Sequence, residues 1–339
     1  MNVAQRSTSK ASITSTGYYT IDRWQVAITN GGTWTMSQDT DVPTGEGFAN
    51  SLKMDCTTAD TSFGASDSLY VRTKLESQDC QNMKKGTSSA EKVTLRFWVK
   101  SSKTGTHIVE LLDNDNSRFV SLAYTISSAD TWENHTLTFP ADTTGAFADD
   151  NGVGLGIHWY MGAGSNISSG TLGTTWHTTQ ANRAAGQVNL ADSTDNNWYL
   201  TGVQLEIGEQ ATPFEHRSFG EELRLCQRYF TTSYPDGTAI GNAYGSAAGL
   251  VYYRASDNNF GMSSTSQFFP VTMRASPTIT IYSTKTGTSG SVTTEFTGTE
   301  YGSAVGGNIT NKYFTPSDGS TAVSSNVRVS YEYTADGEL

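Results

Sequence analysis

Acid–base or metal chemistry needs carboxylates, imidazoles or thiols brought together at short spacings, and the chain contains several clusters worth testing. Its acidic pairs are Asp113 with Asp115, Asp149 with Asp150, and Glu221 with Glu222. Glycoside hydrolysis requires two carboxyl groups across one scissile bond, one of them kept protonated by its surroundings. Here the aspartates sit among Asn, Ser and Gly, the company of turns, where an Asp side chain bonds its own backbone. His107, His135, His158, His177 and His216 are scattered without ligand spacing. No H-E-x-x-H stretch, Walker loop or G-x-S-x-G elbow occurs. Cys56, Cys80 and Cys226 show no C-x-x-C spacing and read as small buried hydrophobes. The expectation is therefore no catalytic residue, no metal and no cofactor.

Recognition of a glycan needs less: exposed aromatic faces to stack on sugar C–H surfaces, with amides and imidazoles beside them for hydrogen bonds. Trp159, Tyr160, Trp176 and His177, with Asn166 and Gln180 nearby, are suitable in type. Tyr234, Tyr244 and Tyr301 are the corresponding candidates of the last third, in the company of Tyr252, Tyr253, Phe268 and Phe269. Trp24, Trp98 and Trp132 are assigned to the core, because a strand tryptophan is buried by default.

These side chains must be positioned by short strands. The chain has 339 residues, with 33 Gly, 7 Pro, 7 Trp and 16 Tyr, and only 16% charged residues. Such composition, with turn formers between β-branched and aromatic runs, describes an all-β protein. About ten strands before residue 213 predict a jelly-roll β-sandwich over residues 1–213. Residues 162–186 are small and polar and read as one long loop. Residues 232–339 predict a second, smaller β-sandwich domain, with strands that include residues 250–254, 259–262, 276–282, 291–296, 311–314 and 326–333. Mean hydropathy is −0.42 and no long apolar run could span a membrane. A net charge of −11 without a basic cluster argues against a nucleic-acid partner. The opening Met-Asn-Val-Ala-Gln-Arg has no basic and apolar leader, so synthesis and folding in a cytoplasm are expected.

Between the two domains, residues 214–231 carry a short connecting helix. Ser218 and Glu221 stand in capping-box spacing. Phe219, Leu223, Cys226 and Phe230 fall on one seam of a helix expected over residues 218–230. The seam suits packing about a threefold axis, and it suits equally the covering of an open sandwich edge.

The run Trp198-Tyr-Leu-Thr-Gly-Val-Gln-Leu-Glu-Ile-Gly208, with Ala211-Thr-Pro-Phe-Glu-His-Arg-Ser-Phe-Gly-Glu-Glu-Leu-Arg-Leu-Cys-Gln-Arg-Tyr-Phe230, resembles a segment that recurs in tail-fibre and other virion structural proteins of tailed bacteriophages, especially those of aquatic bacteria. The likeness extends to Val3–Arg6, Tyr19–Trp24, Ser37–Pro43, Leu95–Ser101, Ala129–Glu133, Phe269–Pro277 and Tyr333–Leu339. The upstream part is similar, more loosely, to β-sandwich carbohydrate-binding modules. The resemblance implies a virion protein, assembled in the bacterial host cytoplasm, whose partners are itself as a homotrimer, other virion proteins and a host cell-surface glycan. A capsid decoration or connector protein and a glycan-hydrolase accessory module are the alternatives. Modules of that kind often hold a calcium ion with an aspartate of the last strand. Thr201 and Gly202 stand in that stretch here, so the resemblance does not extend to the metal.

Overall fold

Twelve strands form from the alternating runs of the first two-thirds: β1 (Ser9–Ile13), β2 (Gly17–Tyr18), β3 (Gln25–Thr29), β4 (Thr33–Asp39), β5 (Ser51–Thr58), β6 (Ser68–Glu76), β7 (Val93–Ser101), β8 (Gly105–Asp113), β9 (Arg118–Ile126), β10 (Glu133–Phe139), β11 (Val153–Ala163) and β12 (Asn197–Ile207). In the computed structural model, which describes residues 1–235, 237–243, 251–254, 266–294, 298–317 and 328–339, they make two antiparallel sheets. The strand orders are β1-β4-β5-β12-β7-β10 and β2-β3-β6-β11-β8-β9. This is the jelly-roll sandwich expected from the strand rhythm.

Alternation decides which side chains fill it, because successive residues of a strand face opposite sides. Trp34, Met36, Leu52, Met54, Leu95, Phe97 and Val99 of the first sheet meet Val26, Val71, Val109, Leu111 and Trp159 of the second in one core. Trp159 packs against Trp24 at 5.4 Å and edge-on to Phe97 at 5.7 Å between ring centroids. Each such side chain withdrawn from water contributes about 1.5–3 kcal/mol. Cys56, Cys80 and Cys226 are buried thiols. Burial pushes the thiols of Cys56 and Cys80 up to about 11 and about 12, which keeps them unreactive, as small hydrophobes should be.

The stretch expected as a featureless loop is ordered by local structure. Helix α1 (Ser165–Ser168) and a 3-10 turn at Gln180–Asn182 break it up, and residue 177 bridges to Phe119 of β9.

The chain divides into two compact units, the first comprising residues 1–4, 8–217 and 339 and the second residues 5–7 and 218–338. The second unit opens on helix α2 (Phe219–Gln227). Its capping box is complete: Ser218 Oγ accepts from the Glu221 N–H at 3.3 Å, and the Glu221 carboxylate accepts from the Ser218 N–H at 3.1 Å. The helix is shorter than expected at its C-terminal end, because Phe230 starts a strand instead.

Among the described residues nine strands follow: β13 (Phe230–Thr232), β14 (Val251–Arg254), β15 (Gln267–Phe268), β16 (Thr278–Tyr282), β17 (Ser291–Thr294), β18 (Glu300–Gly302), β19 (Val305–Gly307), β20 (Tyr313–Ser317) and β21 (Arg328–Asp336). β21 is the axis of the larger sheet and pairs with β13, β14, β16 and β17. β15-β20-β19 make the smaller sheet. Ile281, Val329, Tyr331 and Tyr333 of one sheet share a core with Phe314 of the other. Strands β18 and β19, short and rich in Gly, escaped the sequence signal. The strand expected at residues 259–262 lies outside the described residues.

Candidate functional site

On β7, Leu95, Phe97 and Val99 point into the core, so Arg96, Trp98 and Lys100 project from the outer face of the first sheet. The register places Lys100 opposite Tyr199 of β12, Tyr199 opposite Lys53 of β5, and Trp98 opposite Asn134 of β10. Trp132 precedes β10 and reaches the same row. The Lys100 ammonium lies 4.2 Å from the Tyr199 ring centre and 5.6 Å from that of Trp132. The two rings meet edge to face at 6.1 Å. Lys53 stands 5.4 Å from the Tyr199 ring centre. Four side chains thus make a row, Lys53–Tyr199–Lys100–Trp132, that crosses β5, β12 and β7.

The connection between β4 and β5 adds an acid. Asp41 pairs with Lys100 and accepts a hydrogen bond from Trp132 Nε1 at 2.8 Å. Burial works against its charged form, but the bonds from Lys100 and Trp132 outweigh it and hold the carboxyl below the usual carboxylate range. Asp41 therefore fixes the orientation of the half-buried Trp132 indole, beside Tyr199 and Lys100, which are themselves buried.

One flank of the row is walled by the chain itself. β12 is bulged between Thr201 and Gln204, and Gly202 there has φ +59°. The ring of Phe48 fits over that glycine: a Cβ at residue 202 would lie 2.6 Å from Phe48 Cζ and 3.0 Å from Trp98 Cδ1. Phe48 packs on Phe214 at 5.0 Å and His216 at 5.2 Å. The segment carrying them is tied down by Glu206, which accepts from Thr212 Oγ1 at 2.6 Å. The remaining side, with exposed Asn134 and half-buried Asp55 and Trp132, can offer the indole ring and hydrogen bonds to a polyhydroxylated ligand.

Several sequence expectations require correction. Trp98 and Trp132 are half-buried on this outer face and not in the core, whereas Trp24 is in the core as expected. Trp159 and Tyr160 are fully buried and cannot stack on a ligand. β11 is a central strand covered on both faces: Trp159 points into the sandwich, and Tyr160 lies under the residue 164–190 connection with Ile108 and Ala184. Trp176 is half-buried against the core and spends its indole N–H on the Pro140 carbonyl at 2.8 Å. His177 is half-buried and held by the bridge to β9.

In the second unit Tyr234 is buried, and Tyr301 is half-buried against the core. Tyr244 lies outside the described residues, as do the side chains of Tyr252 and Tyr253. Phe269 is in the core, while Phe268 is exposed. The helix seam is graded: Phe219 is 51% exposed, Leu223 half-buried and Cys226 buried. Phe230 leaves the seam for β13, buried beneath the Arg6 guanidinium 3.7 Å above its ring.

A second constellation was not visible in the sequence. Glu110 of β8 is fully buried and accepts from Arg183 through both oxygens, at 2.7 and 2.8 Å. It also meets His158 Nδ1 at 3.1 Å and the Tyr160 hydroxyl at 3.3 Å. Register alone joins Glu110 to His158, 48 residues apart. Sealed from solvent, the cluster fastens the residue 164–190 connection and is not placed to meet a substrate. Asp113 is similarly absorbed, by Lys85 at 2.5 Å and by its own turn through Asn116. Thr201 donates to the Asn50 carbonyl, and no group of three metal-binding side chains occurs among the described residues.

No protein-family profile and no curated sequence matches the chain. Among solved structures it is similar to the enzymatically active domain of tailspike protein 4 of bacteriophage CBA120, at 15% identity and a TM-score of 0.31, over 55% of this chain and 19% of that one. The chain thus spans about a fifth of the tailspike's length. It is also similar to a CBM4 module, at 16% identity and 0.28, over 55% and 94%. A family 11 carbohydrate-binding module from Clostridium thermocellum, bound to a β-1,3-1,4-linked tetrasaccharide, matches at 10% identity and 0.30, over 61% and 99%. At such distance the likeness carries no argument, and function must be argued from the residues.

Proposed function

We propose that this chain is a non-enzymatic structural protein of a bacteriophage virion, a tail-fibre subunit that contributes to attachment on a host-surface glycan. The observation that carries the binding role is the row Lys53–Tyr199–Lys100–Trp132 on the outer face of a rigid sandwich, in which half-buried Lys53 and Trp132 flank buried Tyr199 and Lys100. The placing on a virion rests on the sequence resemblance centred on residues 198–230. A walled, shallow row buries little of a sugar, so each site binds weakly and adhesion comes from several copies acting together. The proposed assembly is a homotrimer, for which the exposed Phe219 and half-buried Leu223 of α2 are the contact candidates.

Two measurements test this. Labelled antibody against the chain should decorate the tail fibres, and the assembled full-length protein should bind host cells. Trp132→Ala should weaken cell binding at least tenfold while the melting temperature stays within a few degrees. Decoration of the capsid together with no cell binding would replace the fibre role by decoration or connection. Sedimentation at micromolar concentration checks assembly: a stable monomer rejects the trimer, and dissociation by Leu223→Asp assigns it to the helix.

A further inference from the structure

The most exposed large apolar side chain among the described residues is Phe268, at 66%, on the small sheet of the second unit. Alternation explains where it points. Phe314 of β20 is in the core, so its neighbours Tyr313 and Thr315 face outward. Phe268 pairs with Tyr313 in the register and shares that face. On β19, a Cβ at Gly306 would strike Ile279, so residue 306 points inward and Val305 and Gly307 outward. Gly307 opposite Thr315 leaves the middle of the face flat. Phe268 and Tyr313 stand at its end with ring centres 5.5 Å apart and planes tilted by 53°, forming a corner and not a wall.

The corner is rigid and has polar groups beside it. Thr310 Oγ1 donates to the Tyr313 carbonyl and accepts from the N–H groups of Lys312 and Tyr313, each at 3.1 Å. The N–H of Phe269 donates to the Lys312 carbonyl at 2.9 Å. These bonds fix the turn that carries exposed Lys312 beside the Phe268 strand, and exposed Asn308 lies on the same connection between β19 and β20.

We propose that this corner is a second glycan site, taking one hexopyranose: the ring stacks on Phe268, its edge meets Tyr313, and its hydroxyls bond Lys312 and Asn308. The occupant is argued from size and chemistry. A stable protein interface buries about 800 Å² per partner. Two aromatic rings and Val305 offer a few hundred at most, the scale of a small-ligand patch. A preorganised aromatic corner with a polar rim fits a polyhydroxylated ring better than a purely apolar partner. The inference rests on the proposed glycan-binding role and extends it, because two independent sites on one chain would multiply adhesion without tight binding at either.

The test is saturation-transfer NMR on the full-length protein, with methyl β-D-galactopyranoside and methyl β-D-glucopyranoside as probes, comparing wild type, Phe268→Ala, Trp132→Ala and the double variant. At least one probe should receive saturation on the C–H protons of one ring face. Phe268→Ala should remove at least half of that signal, Trp132→Ala should leave the Phe268 part intact, and the double variant should be silent. Lys312→Met should weaken binding severalfold without moving the melting temperature. Signal abolished by Trp132→Ala alone and untouched by Phe268→Ala would overturn the second site and leave the first standing. Silence of every protein toward both probes would overturn the second site, and the first as well if cell binding also fails. Self-association that Phe268→Ala abolishes would show the corner to be a contact between copies instead.

Discussion

Glu110 illustrates how much a single buried charge can decide. A carboxylate with no solvent contact persists only when its bonds replace water, and the Arg183 fork with His158 does so. Burial opposes its charge, yet the Arg183 and His158 bonds hold its carboxyl below the usual range. Arg183→Met should therefore cost about 3–5 kcal/mol, since it strands a buried charge, as urea unfolding followed by tryptophan fluorescence would measure. Acid should act in the same direction. Burial lowers the imidazole of His107 to about 4, while the unfolded chain takes up that proton near pH 6.5. Its Nε2 faces the Lys103 carbonyl, and Tyr124, His135 and Glu133 are its other neighbours. Because the unfolded state binds the proton first as pH falls, stability declines from about pH 6.5 to 4, by on the order of 3 kcal/mol for this group. Glu110 adds a further loss as pH falls through its lowered folded value. Melting temperatures across pH 4–7 should show the decline, and His107→Gln should remove part of it, because burial lowers the His158 imidazole to about 4 as well.

At the level of elements, the bulge in β12 is where local backbone and function meet. Gly202 sits at positive φ and directly beneath the ring of Phe48. Gly202→Ala should destabilise by about 1–3 kcal/mol through backbone strain alone, with more from the clash. Phe48→Ala should recover the clash part, so the double variant falls short of additivity; thermal unfolding of the four proteins reads this. Helix α2 shows the reverse case, an element legible from its letters. The Ser218–Glu221 capping box is local chemistry, and it formed as read. The end of the helix was not legible, because pairing of Phe230–Thr232 with residues 334–336 competes with one more helical turn and wins.

For the whole molecule, the second unit depends on residues from the far end of the sequence. Arg6 is buried, bonds Asp336 at 3.2 Å and Glu338 at 3.4 Å, and covers the ring of Phe230. Its loss would leave the nearly buried Glu338 less well compensated and remove a cation–π contact. Arg6→Ala should weaken the second unit by on the order of 2–3 kcal/mol. Hydrogen exchange should show it as faster exchange across residues 328–336, with β7 and β11 unchanged. A fragment beginning at Ser218 lacks this arginine and should show the same weakening.

The amino-acid sequence by itself determined the class of protein: alternation with a period of two, turn residues between the runs and one capped helix specify short strands in two sandwiches. These are local properties, and a strand's period survives whatever it packs against. Tertiary structure decided which aromatic side chains meet solvent. Tyr160 and Trp98 are both strand aromatics that face away from the sandwich core, yet one is sealed and the other is half-buried. The difference lies in what covers the outer face of each sheet: the residue 164–190 connection over Tyr160, and Phe48 at the Gly202 bulge beside Trp98. Glu110 lies 48 residues from His158 and 73 from Arg183, and the three meet only because register and a long connection bring them together. Periodicity assigns a side chain to a face, and only the packed chain assigns that face to water.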